Sequence, residues 1–75
     1  MTKSEVLRVE HYLREKFGNT TIAIRQRSTK DDSAEVMLGD EFIGVVFRDD
    51  EDGEVSYDFH MAIMDMDLPK VIPVS

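Results

Sequence analysis

The sequence of 75 residues contains no cysteine, no tryptophan and only two prolines. Without cysteine, neither a disulfide nor a thiolate metal site can stabilise the fold. No apolar run approaches the roughly 20 residues that a membrane-spanning helix needs, and residues 1–5 lead into a charged segment instead of the apolar core of a secretory signal. We therefore expect a soluble cytoplasmic protein of one small domain, with no membrane partner.

Positive charge is also scarce. Nine Lys and Arg residues against sixteen Asp and Glu residues give a formal net charge of −7. The charge is unevenly distributed along the chain, since residues 1–29 carry +3 and residues 30–75 carry −10. Binding to a polyanion requires clustered cations, so this balance disfavours nucleic acid as a partner. The simplest role of these charges is to keep a small domain in solution.

The most apolar run of the chain, Phe42–Phe47, predicts the central strand of an antiparallel sheet. It is short, rich in β-branched and aromatic residues, and bounded by turn signals. Both of its faces are apolar, so we expect one face on a helix and the other partly covered. On simple alternation, one face holds Phe42, Gly44 and Val46. A glycine inside a strand indicates a β-bulge or a close approach by another segment; the bulge is favoured here.

Turn signals separate this strand from its neighbours. Gly39-Asp40 is typical of a two-residue hairpin turn, and Gly53, in the acidic turn 49–54, can supply a positive φ angle. Residues 28–32 predict a polar turn. Three further strands are predicted over residues 20–27, 34–38 and 55–59, the first of them at or near a sheet edge.

The first seventeen residues predict an amphipathic helix over Lys3–Phe17. Thr2 and Glu5 fit a capping box, and Gly18 can take the left-handed position that ends a helix. The apolar stripe of this helix consists of Val6, Val9, Leu13 and Phe17. Together, the predicted helix and strands indicate an α+β fold, with one N-terminal amphipathic helix packed on a four-stranded antiparallel meander sheet in two layers.

Residues 60–68 have two interpretations. Met61 and Ile63 could continue the last strand, whereas the methionines and Ala62 also favour a helix. We prefer the strand, because no N-cap residue or glycine separates this segment from Phe59. We expect a single domain over residues 1–68 and a loose tail over residues 69–75.

The sequence contains no clear catalytic or metal-binding motif. His11 and His60 are far apart in sequence, and no nucleophile and carboxylate accompany either in a triad pattern. The acidic turn fails as a calcium loop, because Arg48 and Phe59 would occupy ligand positions one and twelve. We therefore expect no catalytic residues, no metal and no cofactor, and we predict that the protein is not an enzyme.

Interaction with another protein, or with a second copy of the chain, is the function that the sequence favours. Small domains often complete their core by oligomerising, and five methionines can form an adaptable surface. The candidate surface residues are Arg25, Arg27, Phe42 and Val46. The alternative is an RNA- or nucleotide-binding domain that uses the basic strip Arg25, Arg27 and Lys30, although no aromatic residues for base stacking lie between the arginines.

Several segments also resemble a known family. They are residues 12–19 of the helix, residues 31–36, residues 39–45 around the first turn, residues 47–59 (Phe-Arg-Asp-Asp-Glu-Asp-Gly-Glu-Val-Ser-Tyr-Asp-Phe) and residues 61–68. Together they are similar to a small uncharacterised bacterial family, number 3126 among the domains of unknown function and typical of alphaproteobacteria. The resemblance covers about residues 4–68. It implies a stand-alone cytoplasmic domain and assigns no activity, cofactor or site residue.

Overall fold

The structure, a computed structural model, describes residues 1–27 and 32–72. One α-helix is followed by four strands and a short 3₁₀ turn. The elements are α1 (Lys3–Phe17), β1 (Ile22–Gln26), β2 (Ser33–Leu38), β3 (Glu41–Asp49), β4 (Ser56–His60) and the turn Asp65–Asp67. The strands form one antiparallel sheet in the order β1-β2-β3-β4. This confirms the predicted α+β meander, with β3 inside the sheet and β1 at its edge.

Helix α1 begins and ends at the predicted residues. The Glu5 backbone N–H donates to Thr2 Oγ1 over 3.1 Å, and the Thr2 N–H donates to Glu5 Oε1 over 2.9 Å, which completes the capping box. Gly18 ends the helix in the left-handed conformation, with φ 60°. One predicted stripe residue differs, since Phe17 is exposed in the last turn.

The core lies between α1 and one face of the sheet. Its buried apolar residues are Val6, Leu13, Ile22, Ile24, Ala34, Val36 and Val46. Partly buried residues from both layers surround them, among them Val9, Tyr57 and Phe59. The helix therefore covers one face of the sheet and leaves the other without a second layer among the described residues.

The hairpin turns follow the sequence signals. Leu38 lies opposite Glu41, so Gly39 and Asp40 form a two-residue turn, with Gly39 at φ 61°. Gly53 has φ 80° in the acidic turn between β3 and β4. The polar turn predicted over residues 28–32 falls outside the described residues except for Asp32.

A β-bulge interrupts β3 at the position that Gly44 indicated. Val36 lies opposite Gly44 and Met37 lies opposite Phe42, so Ile43 is the extra residue. The bulge reverses the alternation of side chains within β3. The prediction that Phe42 and Val46 share a face is therefore wrong, because Phe42 lies on the side away from α1 while Val46 faces it.

Strand β4 ends at His60, and the predicted extension of the strand through Ile63 is wrong. Residues 61–64 form neither strand nor helix, and only Asp65–Asp67 make a single turn. A bulge bends its strand and breaks the ladder locally, and pairing of β3 with β4 stops at Val45, close after the bulge. The chain consequently leaves the sheet after His60. A longer β4 would instead have continued alongside residues 41–44.

Candidate interaction surface

The face of the sheet turned away from α1 is called the open face here. Strand alternation and register place on it Ala23, Arg25, Ser33, Glu35, Met37, Phe42, Val45, Phe47, Asp58 and His60. Its apolar part is formed by Met37 of β2 and by Phe42, Val45 and Phe47 of β3. Arg25 on β1 and Asp58 and His60 on β4 place polar or charged side chains at its margins.

Aromatic side chains dominate the centre of the open face. Phe42 is 52% exposed and Phe47 is 41% exposed, whereas Met37, opposite Phe42, is buried. The Phe47 and His60 rings meet edge to face, with centroids 5.3 Å apart and planes at 89°. This is the T-shaped arrangement that pairs of aromatic rings favour.

The segment after β4, residues 61–72, is called the C-terminal arm here. Every residue of the arm is exposed. Its exposed apolar side chains are Met61, Ile63, Met64, Met66, Leu68, Val71 and Ile72, with Met66 at 84% and Val71 at 80%. Such a concentration of large apolar side chains in water is unfavourable and typical of a surface that is covered in an assembly.

An open groove lies between the arm and the first half of β3. It is lined by residues 41–45 and Phe47 of β3, by Phe59 and His60 of β4, and by residues 61–64 and Asp67 of the arm. Phe42 and Met61 are among its apolar lining residues. The groove therefore joins the open face to the arm as one continuous surface.

The edge of β3 is unpaired along the same groove. β3 pairs with β2 over residues 41–47 but with β4 only over residues 45–49. In the described part of the chain, residues 41–44 thus have a strand neighbour on one side alone. Unpaired backbone N–H and C=O groups at a sheet edge are a template for an added strand.

Three of the four residues predicted for the interaction surface are exposed, and one is not. Arg25 lies on the open face, Arg27 directly follows β1, and Phe42 lies at the centre of the open face. Val46 is only 1% exposed and belongs to the core under α1. Val46 is therefore not part of the exposed surface, because the bulge turns its side chain toward the helix. Phe47 is exposed on the open face, where Val46 was expected.

The cations of α1 do not lie on the same face as Arg25, which belongs to the predicted basic strip. Arg14 donates from Nε to the Ile22 carbonyl over 2.7 Å and lies 3.4 Å from Glu10. Arg8 and Lys16 are exposed on the helix, on the other side of the molecule from Arg25. Lys30 lies outside the described residues. Arg25 and Arg27 are thus separated from the helical cations.

A charged cluster that the sequence did not reveal joins α1 to the last two strands. Arg48 Nε donates to Glu5 Oε2 over 2.6 Å, and the Tyr57 hydroxyl donates to the same oxygen over 2.7 Å. The backbone N–H of Thr2, followed by Tyr57 and Arg48, lowers the pKa of Glu5 to about 2. The same carboxylate raises the pKa of Arg48 and of Tyr57. The register of β3 and β4 places Arg48 opposite Tyr57, and no local pattern in the sequence indicated that both would meet Glu5.

The histidines do not meet. His11 is exposed on α1, 3.5 Å from Glu15, and His60 lies on the open face beside Phe47. Among residues 1–27 and 32–72, no three His, Asp or Glu side chains are grouped to hold a metal ion. Over the same ranges, no helix has the length and apolar character needed to cross a membrane.

A family described as "Protein of unknown function (DUF3126)" matches residues 5–67. The chain belongs to this family. The match confirms the resemblance and runs past β4, so the DUF3126 unit includes the first half of the arm as well as the helix and sheet. No curated protein and no solved structure matches the chain.

Proposed function

We propose that this chain is a small protein-interaction module that self-associates through its open face and C-terminal arm. The observation that carries the proposal is the exposure of seven large apolar side chains in the arm, next to the exposed rings of Phe42 and Phe47. Burial of apolar surface is the main driving force for protein association. A module of this kind acts by binding alone.

The layout of the surface resembles that of protein interfaces. Interfaces typically have an apolar, aromatic centre and a polar rim. Here Phe42, Phe47 and the groove form the centre, and Arg25 and Asp58 lie at the margins. Methionines such as Met66 add flexible side chains that adapt to a partner.

Nucleic-acid binding has weaker support. Phosphate recognition needs several cations on one surface, and the exposed cations of the described residues are divided among α1, the end of β1 and the arm. A titration of the chain with single-stranded RNA checks this alternative. Its signature would be an affinity that falls steeply as salt is raised.

Light scattering over a concentration series tests the proposed function. We expect the molar mass to rise from 8.6 kDa toward that of a dimer as the concentration increases. Replacing an exposed ring with a charge, Phe47→Glu, should shift this rise to higher concentration, because a buried carboxylate is costly to desolvate.

The control is Tyr12→Glu, which changes an exposed aromatic side chain of α1. It should leave the concentration dependence unchanged. A native chain that stays at 8.6 kDa over the whole series would contradict self-association.

A further inference from the structure

The chain exposes more surface than a folded monomer of its size should. The accessible surface is 6184 Å², against about 4,700 Å² expected for a folded protein of this mass. The Cα radius of gyration is 14.7 Å, against about 11 Å for a compact chain of this length. A typical interface hides about 800 Å² on each partner, so the excess of about 1,500 Å² is ample for a stable dimer.

The open groove has the form of a strand-binding site. Residues 41–44 offer an unpaired backbone edge, and Phe42 and Val45 provide apolar surface beside it. An extended segment bound there would gain main-chain hydrogen bonds from the edge and apolar contacts from its side chains. The occupant must therefore be extended, apolar and at least four residues long.

The arm itself meets these requirements. Its backbone is extended at Met64 (φ −83°, ψ 138°) and at Leu68 (φ −82°, ψ 145°). Residues 61–64 are Met-Ala-Ile-Met, which matches the unpaired edge in length and apolar character. The arm is attached at His60, at the end of the same groove.

We infer that the partner is a second copy of this chain and that the two copies exchange their arms. Residues 61–64 of each copy pair with residues 41–44 of the other. Each exchange satisfies an open edge and covers an exposed arm, and the reciprocal arrangement is a closed two-fold dimer. This inference rests on the proposed function, because it specifies the partner and the contacts of the same surface.

The register of β3 and β4 predicts which residue of the exchanged arm lies opposite each residue of the edge 41–44. Val45 lies opposite His60, so continuing the antiparallel pairing places Glu41 opposite Met64. The chain contains no cysteine, and a single engineered thiol is therefore a specific probe. Chains carrying Glu41→Cys and isotope-labelled chains carrying Met64→Cys are refolded together from urea and treated with a short thiol cross-linker.

We expect a cross-linked product that joins one labelled and one unlabelled chain. Because the two thiols are held close in the dimer, its yield should exceed that of the control mixture at least about ten-fold. The control pairs Met64→Cys with Leu7→Cys, whose side chain is similarly exposed on α1. Mass spectrometry of the linked peptides identifies residues 41 and 64 as the joined positions.

Other results would overturn the inference in distinguishable ways. A dimer by light scattering without the link between residues 41 and 64 would reject arm exchange and leave the proposed function standing. A molar mass of 8.6 kDa at every concentration would reject both. A chain that carries both substitutions and links only within itself would show that the arm closes on its own β3.

Discussion

At the scale of single residues, the Glu5 carboxylate is a hydrogen-bond acceptor for three other residues. It accepts hydrogen bonds from Thr2, Arg48 and Tyr57, which lower its pKa from 4.5 to about 2. A carboxyl group whose pKa is lower in the folded chain than in the unfolded chain stabilises the fold above the unfolded pKa. Its contribution is therefore present at neutral pH and is lost as pH falls from about 4.5 to about 2.

Glu5→Gln tests this pH dependence. Glutamine retains the capping box but removes the charge beside Arg48. We expect the variant to be less stable than the native chain at pH 7 and to approach it as the pH falls below 4.5. Urea unfolding at several pH values measures the difference. Glu15→Gln, an exposed residue of the same helix, is the control, and a difference for Glu5→Gln that does not shrink in acid would contradict the assignment.

Gly44 is a second residue with a specific requirement. A Cβ atom there would overlap the His60 carbonyl oxygen and lie 2.6 Å from Phe59 Cε1. Gly44→Ala should therefore lower the free energy of unfolding by about 1–3 kcal/mol, the usual cost of overpacking. Chemical denaturation measures it.

Gly39→Asn is the control for this substitution. No atom lies within 4 Å of the position that its Cβ would take, and asparagine tolerates a positive φ angle. A Gly44→Ala variant as stable as the native chain would show that the end of β4 can move away from β3.

At the scale of elements, the bulge in β3 decides which side chains are available for binding. Val46→Ala removes two methyl groups from the core and should lower the free energy of unfolding by about 2 kcal/mol. Phe42→Ala should cost less than about 1 kcal/mol, since half of its surface is already exposed, yet it should weaken self-association. Urea unfolding at low protein concentration and light scattering separate the two effects. Equal losses of stability in both variants would contradict the assigned faces.

The elements themselves were largely predictable from the sequence. The capping box of Thr2 and Glu5, the helix end at Gly18 and the turn at Gly39 are local signals, and each fixed an element boundary. The faces of β3 were not predictable, because one extra residue reverses them and the sequence marked a bulge without giving its register. Phe47 was missed for this reason.

Other features depend on contacts between distant residues. The cluster of Glu5, Arg48 and Tyr57 joins residues up to 52 positions apart, and no local pattern predicts such a contact. The end of β4 at His60 likewise depends on the bend of β3, so the sequence alone favoured a longer strand. The sequence left residues 60–68 ambiguous between strand and helix, and the groove beside the arm could be seen only in the folded chain.

At the scale of the whole molecule, net charge opposes self-association. Two chains of −7 repel each other, and raising salt from about 0.01 M to about 1 M shortens the Debye length from about 30 Å to about 3 Å. The dimer dissociation constant should therefore fall as salt is raised, which light scattering at fixed pH measures. Weaker association in high salt would instead mean that ion pairs, for example to Arg25, provide much of the binding.

The contacts of Glu5 also bear on the order in which the chain assembles. The hairpins of the meander close over short stretches of chain, whereas the bonds from Glu5 reach Arg48 and Tyr57, 43 and 52 residues away. Closing long loops costs more entropy, and contacts of this kind form late in folding. The hydrogen bonds that join Glu5 to Arg48 and Tyr57 should therefore form only after the hairpins of the meander have closed, whereas the local capping box can hold the first turn of α1 before then.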